Sequence, residues 1–394
     1  KLFPPGEFSR GRRDLPAIAK PVFLKRIKTE RVFAYQRPVT DKGRAYPKRK
    51  REKRMPLRGM ESVARSLVAE GKGILAADES SPTIEKRFRS INLPSSEENR
   101  RSYRELLFTT PGVSEFISGV ILYDETIRQK AKNGISFSQV LSGQEIIPGI
   151  KVDTGAKSLA GFPGEKVTEG LDGLRERLSE YREMGVRFAK WRAVIVIGDG
   201  IPTAFCIKAN ADALARYAAL CQEADLVPIV EPEVLMDGAH TIDRCEDVTT
   251  ATLSVVFSEL LEHRVALEGT LLKPNMVLSG KDCPKQAGAS EVAKATVRCL
   301  RRTVPSAVPG IVFLSGGQTP EQATLHLNAM NALDRHPWEL SFSYGRALQE
   351  PVLKAWKGDP GNVATAQSAF HHRARCNGAA RFGKYTKEME VTAA

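Results

Sequence analysis

No run of about 18 apolar residues occurs anywhere in the 394-residue chain, so the sequence holds no candidate membrane-spanning helix. There is no C-x-x-C pair among the six cysteines, Cys206, Cys221, Cys245, Cys283, Cys299 and Cys376. Their scatter fits reduced thiols of a cytoplasmic protein better than a disulfide framework. The six histidines form no H-x-x-x-H and no H-E-x-x-H, so no dedicated histidine metal site is expected. No apolar h-region marks a secretory signal. Charge is also missing where it first seems abundant. Residues 1–54 hold 18 Lys/Arg against 5 Asp/Glu, which accounts for the whole net charge of +13. The remaining 340 residues are balanced, and nothing in their net charge argues for nucleic acid or an anionic membrane as partner.

What is present falls into two parts. Residues 1–54 show no sustained period, carry six prolines and end in a basic run, Pro47 to Arg54. Such a segment buries too little apolar surface to offset its ordering entropy, so a disordered basic extension is expected. The basic run reads either as a nuclear-localisation or nucleic-acid patch, or as an artefact of start-site choice. The second reading is preferred, because the chain opens on Lys1 while Met55 and Met60 stand just before the first organised segment. From 55 to 375 the pattern repeats helix and strand, and a short tail, 376–394, follows.

Eight continuous apolar strands are expected near 74–78, 119–123, 146–152, 188–197, 226–232, 266–275, 310–317 and 338–345. Each is followed by a helical stretch, the last helix running over 363–375. Continuous apolar strands with helical crossovers form a parallel sheet covered on both faces. Eight such units in one domain favour a closed (β/α)8 TIM barrel. The alternative is an open doubly wound sheet, but no G-x-G-x-x-G follows the first strand as a dinucleotide fold would require.

Nearly every expected strand ends on a polar residue. The first ends at Asp78 and the third at Lys151. The fourth carries Lys190 and Arg192, two apart and therefore aimed to one side; the fifth carries Glu231 and Glu233 in the same relation. The sixth ends at Lys273, the seventh at Ser315-Gly316-Gly317, and the eighth at Ser343, Gly345 and Arg346. A lysine is seldom fully buried. Three lysines and three carboxylates within apolar strands would be costly unless they met and paired. Gathered at the C-terminal mouth of a barrel they form a catalytic pocket. An unprotonated amine among them would be a nucleophile toward carbonyls. The glycines after the last two strands leave bare N–H groups where barrels commonly hold phosphate, and Arg346 adds a charged fork.

The motifs GKGILAADES (71–80), GVILYDET (119–126), GIKVD (149–153), LAGFPGE (159–165), FAKWRA (188–193), VPIVEPE (227–233), LEGTLLKPNM (267–276), FLSGGQ (313–318) and FSYGRALQ (342–349) stand in order along the body. With them, residues 60–385 closely resemble class I fructose-bisphosphate aldolase. The short tail and the wording of 147–165 look more like bacterial than animal members.

The resemblance implies metal-independent, cofactor-free, reversible cleavage of fructose 1,6-bisphosphate through a lysine Schiff base, in glycolysis and gluconeogenesis. Lys273 would form the imine. Glu231 would be its general acid and base, and Glu233 a neighbour that tunes Lys273. Asp78 would take the C4 hydroxyl proton, Lys190 would hold Glu231 and the carbinolamine in register, and Lys151 would add charge to the pocket. Ser315, Gly316, Gly317, Ser343, Gly345 and Arg346 match the grip on one phosphate. Thr83, Arg87 and Arg192 fall where the family contacts the other, Thr83 standing where many members carry serine. The resemblance also implies a homo-oligomer, usually a tetramer. Family members with the longest tails end in a tyrosine that speeds proton exchange. This sequence ends Glu390 to Ala394, so that role passes to no residue here.

Overall fold

The computed structural model describes residues 57–391. The expected basic extension and its terminal run lie outside the described residues, as do Thr392, Ala393 and Ala394. The strands in chain order are β1 (Gly73–Ala76), β2 (Ile117–Leu122), β3 (Ile147–Lys151), β4 (Gly155–Ser158), β5 (Lys166–Glu169), β6 (Phe188–Ile195), β7 (Val227–Val234), β8 (Leu271–Leu272), β9 (Gly310–Phe313) and β10 (Glu339–Tyr344). The helices are α1 (Leu57–Leu67), α2 (Ser81–Arg89), α3 (Glu97–Phe108), α4 (Asp124–Arg128), α5 (Phe137–Ser142) and α6 (Leu174–Glu183). They continue with α7 (Ala204–Glu223), α8 (Ile242–Glu262), α9 (Ala289–Thr303), α10 (Pro320–Asn331), α11 (Arg346–Trp356) and α12 (Val363–Ala380).

Eight strands close into a parallel barrel in the order β1-β10-β9-β8-β7-β6-β3-β2. The fold is the (β/α)8 barrel read from the sequence. Two cores result, one between the barrel and its helices and one inside it. The inner core is closed from below by α1. Met60, Ala64 and Leu67 recur at helical spacing, and with Val68 they pack against Ile74, Ile121, Phe188, Val227, Ile229, Leu271 and Val312. A barrel interior filled this way is a packed core and not a pore.

Glycine is required where strand and ring approach closest. Gly149 pairs with Phe188 across β3 and β6, and a Cβ at 149 would lie 2.2 Å from the Phe188 ring. Phe188 is fully buried and cannot swing away. The substitution Gly149→Ala is therefore expected to cost about 1–3 kcal/mol. A lower urea midpoint at unchanged slope would show it, and an unchanged midpoint would contradict it.

Several boundaries differ from the sequence reading, each for a local reason. The strand expected over 266–275 is reduced to β8, because Leu267–Gly269 coils into a 3-10 turn before it and Pro274 lacks an N–H after it. The ladder still passes through: Lys273 N–H donates to the Val230 carbonyl at 2.8 Å, and Leu314 N–H to that of Pro274 at 3.1 Å. Helices α7 and α8 begin five residues earlier than expected, where the Thr203 and Thr241 side chains accept from the Cys206 and Arg244 N–H groups. Helix α12 runs on to Ala380, so the boundary expected at 375/376 falls inside a helix whose Cys376, Asn377, Gly378 and Ala380 are buried. The antiparallel hairpin β4–β5 was not foreseen. Its turn residues Gly161, Pro163 and Gly164 were visible, but its strands lack the apolar residues that marked the others.

Candidate active site

A cavity of about 840 Å³ opens at the C-terminal ends of the barrel strands. Of the fifteen site residues read from the sequence, fourteen line it: Asp78, Thr83, Arg87, Lys151, Lys190, Arg192, Glu231, Glu233, Lys273, Ser315, Gly316, Ser343, Gly345 and Arg346. Gly317 does not. Its N–H donates to Met236 Sδ at 2.9 Å, and a Cβ there would meet Lys281 and Met236.

Lys273 stands one residue past β8 and is 3% exposed. Its Nζ lies 3.1 Å from Glu231 Oε1. The other carboxylate oxygen of Glu231 lies 3.4 Å from Lys190 Nζ. Glu231 thus sits between two ammonium groups, which is what allows a carboxylate in the middle of the fully buried strand β7. Lys190, on β6, reaches Asp78 Oδ2 at 2.6 Å and Asp153 Oδ2 at 3.8 Å.

This pairing fixes charge states. Burial by itself would push the Asp78 carboxyl up, but the Lys190 and Lys273 ammonium groups outweigh it and hold Asp78 well below the usual carboxylate range. Burial would lower Lys190, yet Asp78, Glu231 and Asp153 together hold it above the usual lysine range. Asp78 is therefore an anion and Lys190 a cation at any working pH.

One contact was not read from the sequence. Glu233, expected as a neighbour of Lys273, lines the same cavity, and its carboxylate takes the Arg192 Nε–H. Spacing two apart gives the face of a strand but not which neighbour a long side chain meets. The same contact holds Arg192, read as a phosphate ligand, and raises its affinity for its proton against the effect of burial.

Asp153 was missed. It is 7% exposed; its Oδ1 meets Lys151 Nζ at 2.6 Å, and its Oδ2 accepts from the Arg192 backbone N–H at 3.3 Å. The signal was in the motif GIKVD, where Asp153 follows Lys151 at the spacing that singled out 190/192 and 231/233. Glu79 was also missed. It is buried between Arg87 and Arg104 and accepts from Gln349 Nε2 at 2.8 Å, so it orients the Arg87 guanidinium.

On the far wall the Arg346 Nη2 donates to the Gly316 carbonyl and ties the loops after β9 and β10 together. Gly316 is left-handed at φ +56°, which brings its backbone close under that loop without a Cβ penalty. The Ser343 hydroxyl is buried, faces the cavity and has no hydrogen-bond partner among the described residues, which leaves a donor for a ligand.

A closed barrel with cations and carboxylates converging on one polar cavity at its C-terminal mouth defines a (β/α)8-barrel enzyme. The family model for fructose-bisphosphate aldolase class-I matches residues 59–394. A relative named "Probable fructose-bisphosphate aldolase class 1", from Xanthomonas axonopodis pv. citri, is 60% identical over 332 residues, covering 84% of this chain and 99% of the relative. "Fructose-bisphosphate aldolase 5, cytosolic" of Arabidopsis thaliana is 57% identical over 325 residues, covering 82% of this chain and 90% of its own. Among solved structures, fructose-bisphosphate aldolase from Plasmodium falciparum, in complex with TRAP and a small-molecule inhibitor, superposes with a TM-score of 0.83. It is 53% identical and covers 84% of this chain and 95% of that one. This chain belongs to the class I fructose-bisphosphate aldolase family.

Proposed function

We propose that the protein reversibly cleaves fructose 1,6-bisphosphate to dihydroxyacetone phosphate and glyceraldehyde 3-phosphate through an imine on Lys273. The observation that carries the reading is the buried Lys273 amine 3.1 Å from Glu231, in a cavity with phosphate-type donors at its far wall. The Lys273 amine attacks the C2 carbonyl, and Glu231 shuttles the protons that turn carbinolamine into imine and release water. Lys190 holds Glu231 in place. Asp78, kept ionised, takes the C4 hydroxyl proton. The C3–C4 electron pair then flows into the protonated imine, the aldehyde leaves, and an enamine remains. Its protonation and hydrolysis return the free lysine. Ser315, Gly316, Ser343, Gly345 and Arg346 hold the phosphate next to the ketone, and Thr83, Arg87, Lys151 and Arg192 hold the other.

Incubation with dihydroxyacetone phosphate and borohydride should reduce the imine to a stable secondary amine. Peptide mapping is expected to place the added mass on Lys273, and an adduct elsewhere or none would sink the mechanism. By family resemblance the working form is a cytosolic homotetramer. Mass photometry on the full chain reads the subunit number, and a monomer would rule that out.

A further inference from the structure

A second cluster lies away from the catalytic cavity, where α12 meets the chain that follows it. His372 and Cys376 stand one helical turn apart on α12, and Glu390 comes back against them. The His372 Nε2 lies 3.7 Å from Cys376 Sγ and 3.6 Å from Glu390 Oε2, and the three donor atoms lie within 4.8 Å of one another. None of the three lines the catalytic cavity. His372 and Cys376 are spaced H-x-x-x-C, which offers the same i, i+4 face as H-x-x-x-H.

We propose that His372, Cys376 and Glu390 form a zinc-binding site that pins residues 386–391 to α12. A tetrahedral zinc has metal–nitrogen and metal–oxygen distances of about 2.0–2.1 Å and a metal–sulfur distance of about 2.3 Å. Those lengths place the nitrogen about 3.6 Å from the sulfur and about 3.4 Å from the oxygen. The two separations from His372 Nε2 match within about 0.2 Å, before any metal draws the ligands in, and the sulfur and oxygen lie within 4.8 Å of each other. One nitrogen, one thiolate and one carboxylate suit zinc better than a hard cation such as magnesium or calcium.

The surroundings fit the same reading. Glu390 is oriented by two outer partners: Tyr385 OH donates to its Oε1 and Arg373 Nη1 to its Oε2, each at 2.6 Å. Zinc bound by a thiolate and a carboxylate carries no net charge, so the neighbouring Arg373 cation does not oppose it. The thiol proton leaves to solvent when the zinc–sulfur bond forms. An open groove of about 530 Å³ beside Gln367, His371 and Arg375 is lined by His372 as well, so one ligand of the trio faces open space.

The test uses tag-free full-length protein stripped of metal. Titration with zinc against a chromophoric chelator should give one equivalent per chain. Cobalt in its place should show a thiolate-to-cobalt charge-transfer band. Cys376→Ser should abolish the band, and Cys376→Ser or His372→Asn should each weaken zinc binding at least tenfold while borohydride trapping on Lys273 is unchanged. Zinc should raise the melting temperature of the wild type and of neither variant. Absence of the cobalt band in the wild type, or undiminished zinc binding in the double variant, would show a cluster that is hydrogen-bonded only.

Discussion

Replacement of Lys273 by methionine is expected to remove turnover of fructose 1,6-bisphosphate by roughly four to six orders of magnitude, about 5–8 kcal/mol of barrier. On the proposed mechanism the amine becomes the electron sink, and the other two lysines read from the barrel strands are committed elsewhere. Lys190 is held by Asp78, Asp153 and Glu231, and Lys151 by Asp153. Methionine fills a similar volume at a site that is 3% exposed, and Glu231 keeps Lys190 as its partner, so the variant should fold. A coupled assay for triose phosphate, with circular dichroism as the folding control, decides the matter. Retention of more than about 1% of wild-type kcat in a homogeneous preparation would mean that the bond breaks by another route.

The second large effect is on stability. Lys190 is the one ammonium that Asp78, Asp153 and Glu231 share, and all four groups are buried or nearly so. Lys190→Met should destabilise the fold by about 3–5 kcal/mol, because Asp78 stays buried without its close cation, while Glu231 keeps Lys273 and Asp153 keeps Lys151. The substitution should also create a pH slope. In the wild type Asp78 is held below its unfolded value. Its contribution is complete above about pH 4 and is lost only as the pH falls toward its lowered folded value. It therefore adds no slope between pH 5 and 7.5. In the variant only Lys273 and Lys151 oppose burial, which is the largest influence on Asp78; the folded state then holds the Asp78 proton more tightly than the unfolded one, and stability should rise on going from pH 7.5 to 5. Urea midpoints at the two pH values measure both parts. Equal midpoints for variant and wild type would show that the shared cation does not govern the cluster.

The barrel was legible because burial on both faces leaves a long apolar word at each strand, and because a charge inside such a word stands out. That is why Asp78, Lys151, Lys190, Glu231 and Lys273 could be read before any coordinates. The hairpin β4–β5 escaped because its strands are half exposed and carry lysine, glutamate and threonine without alternation. The Glu233–Arg192 pair escaped for a different reason. Strand parity says that both point into the barrel, whereas the choice of partner depends on register, and here Arg192 stands opposite Glu231 with Glu233 two residues on. Asp153 was legible, since it follows Lys151 at the spacing that marked 190/192 and 231/233. The trio of His372, Cys376 and Glu390 joins a helix to a segment 14 residues later through tertiary contact, which no local period encodes.

Helix α1 does more than fill a hole. With Met60, Ala64 and Leu67 stoppering one end of the barrel, the reaction chamber opens, among the described residues, at the other. Traffic through it must queue. On the proposed mechanism the ketone-derived half stays tethered to Lys273 after cleavage while the aldehyde half is free, so the aldehyde leaves first. In the synthetic direction the ketone phosphate must arrive, and be tethered, before the aldehyde can enter behind it. The closed end of the barrel makes both halves share the mouth, and the tether sets their order.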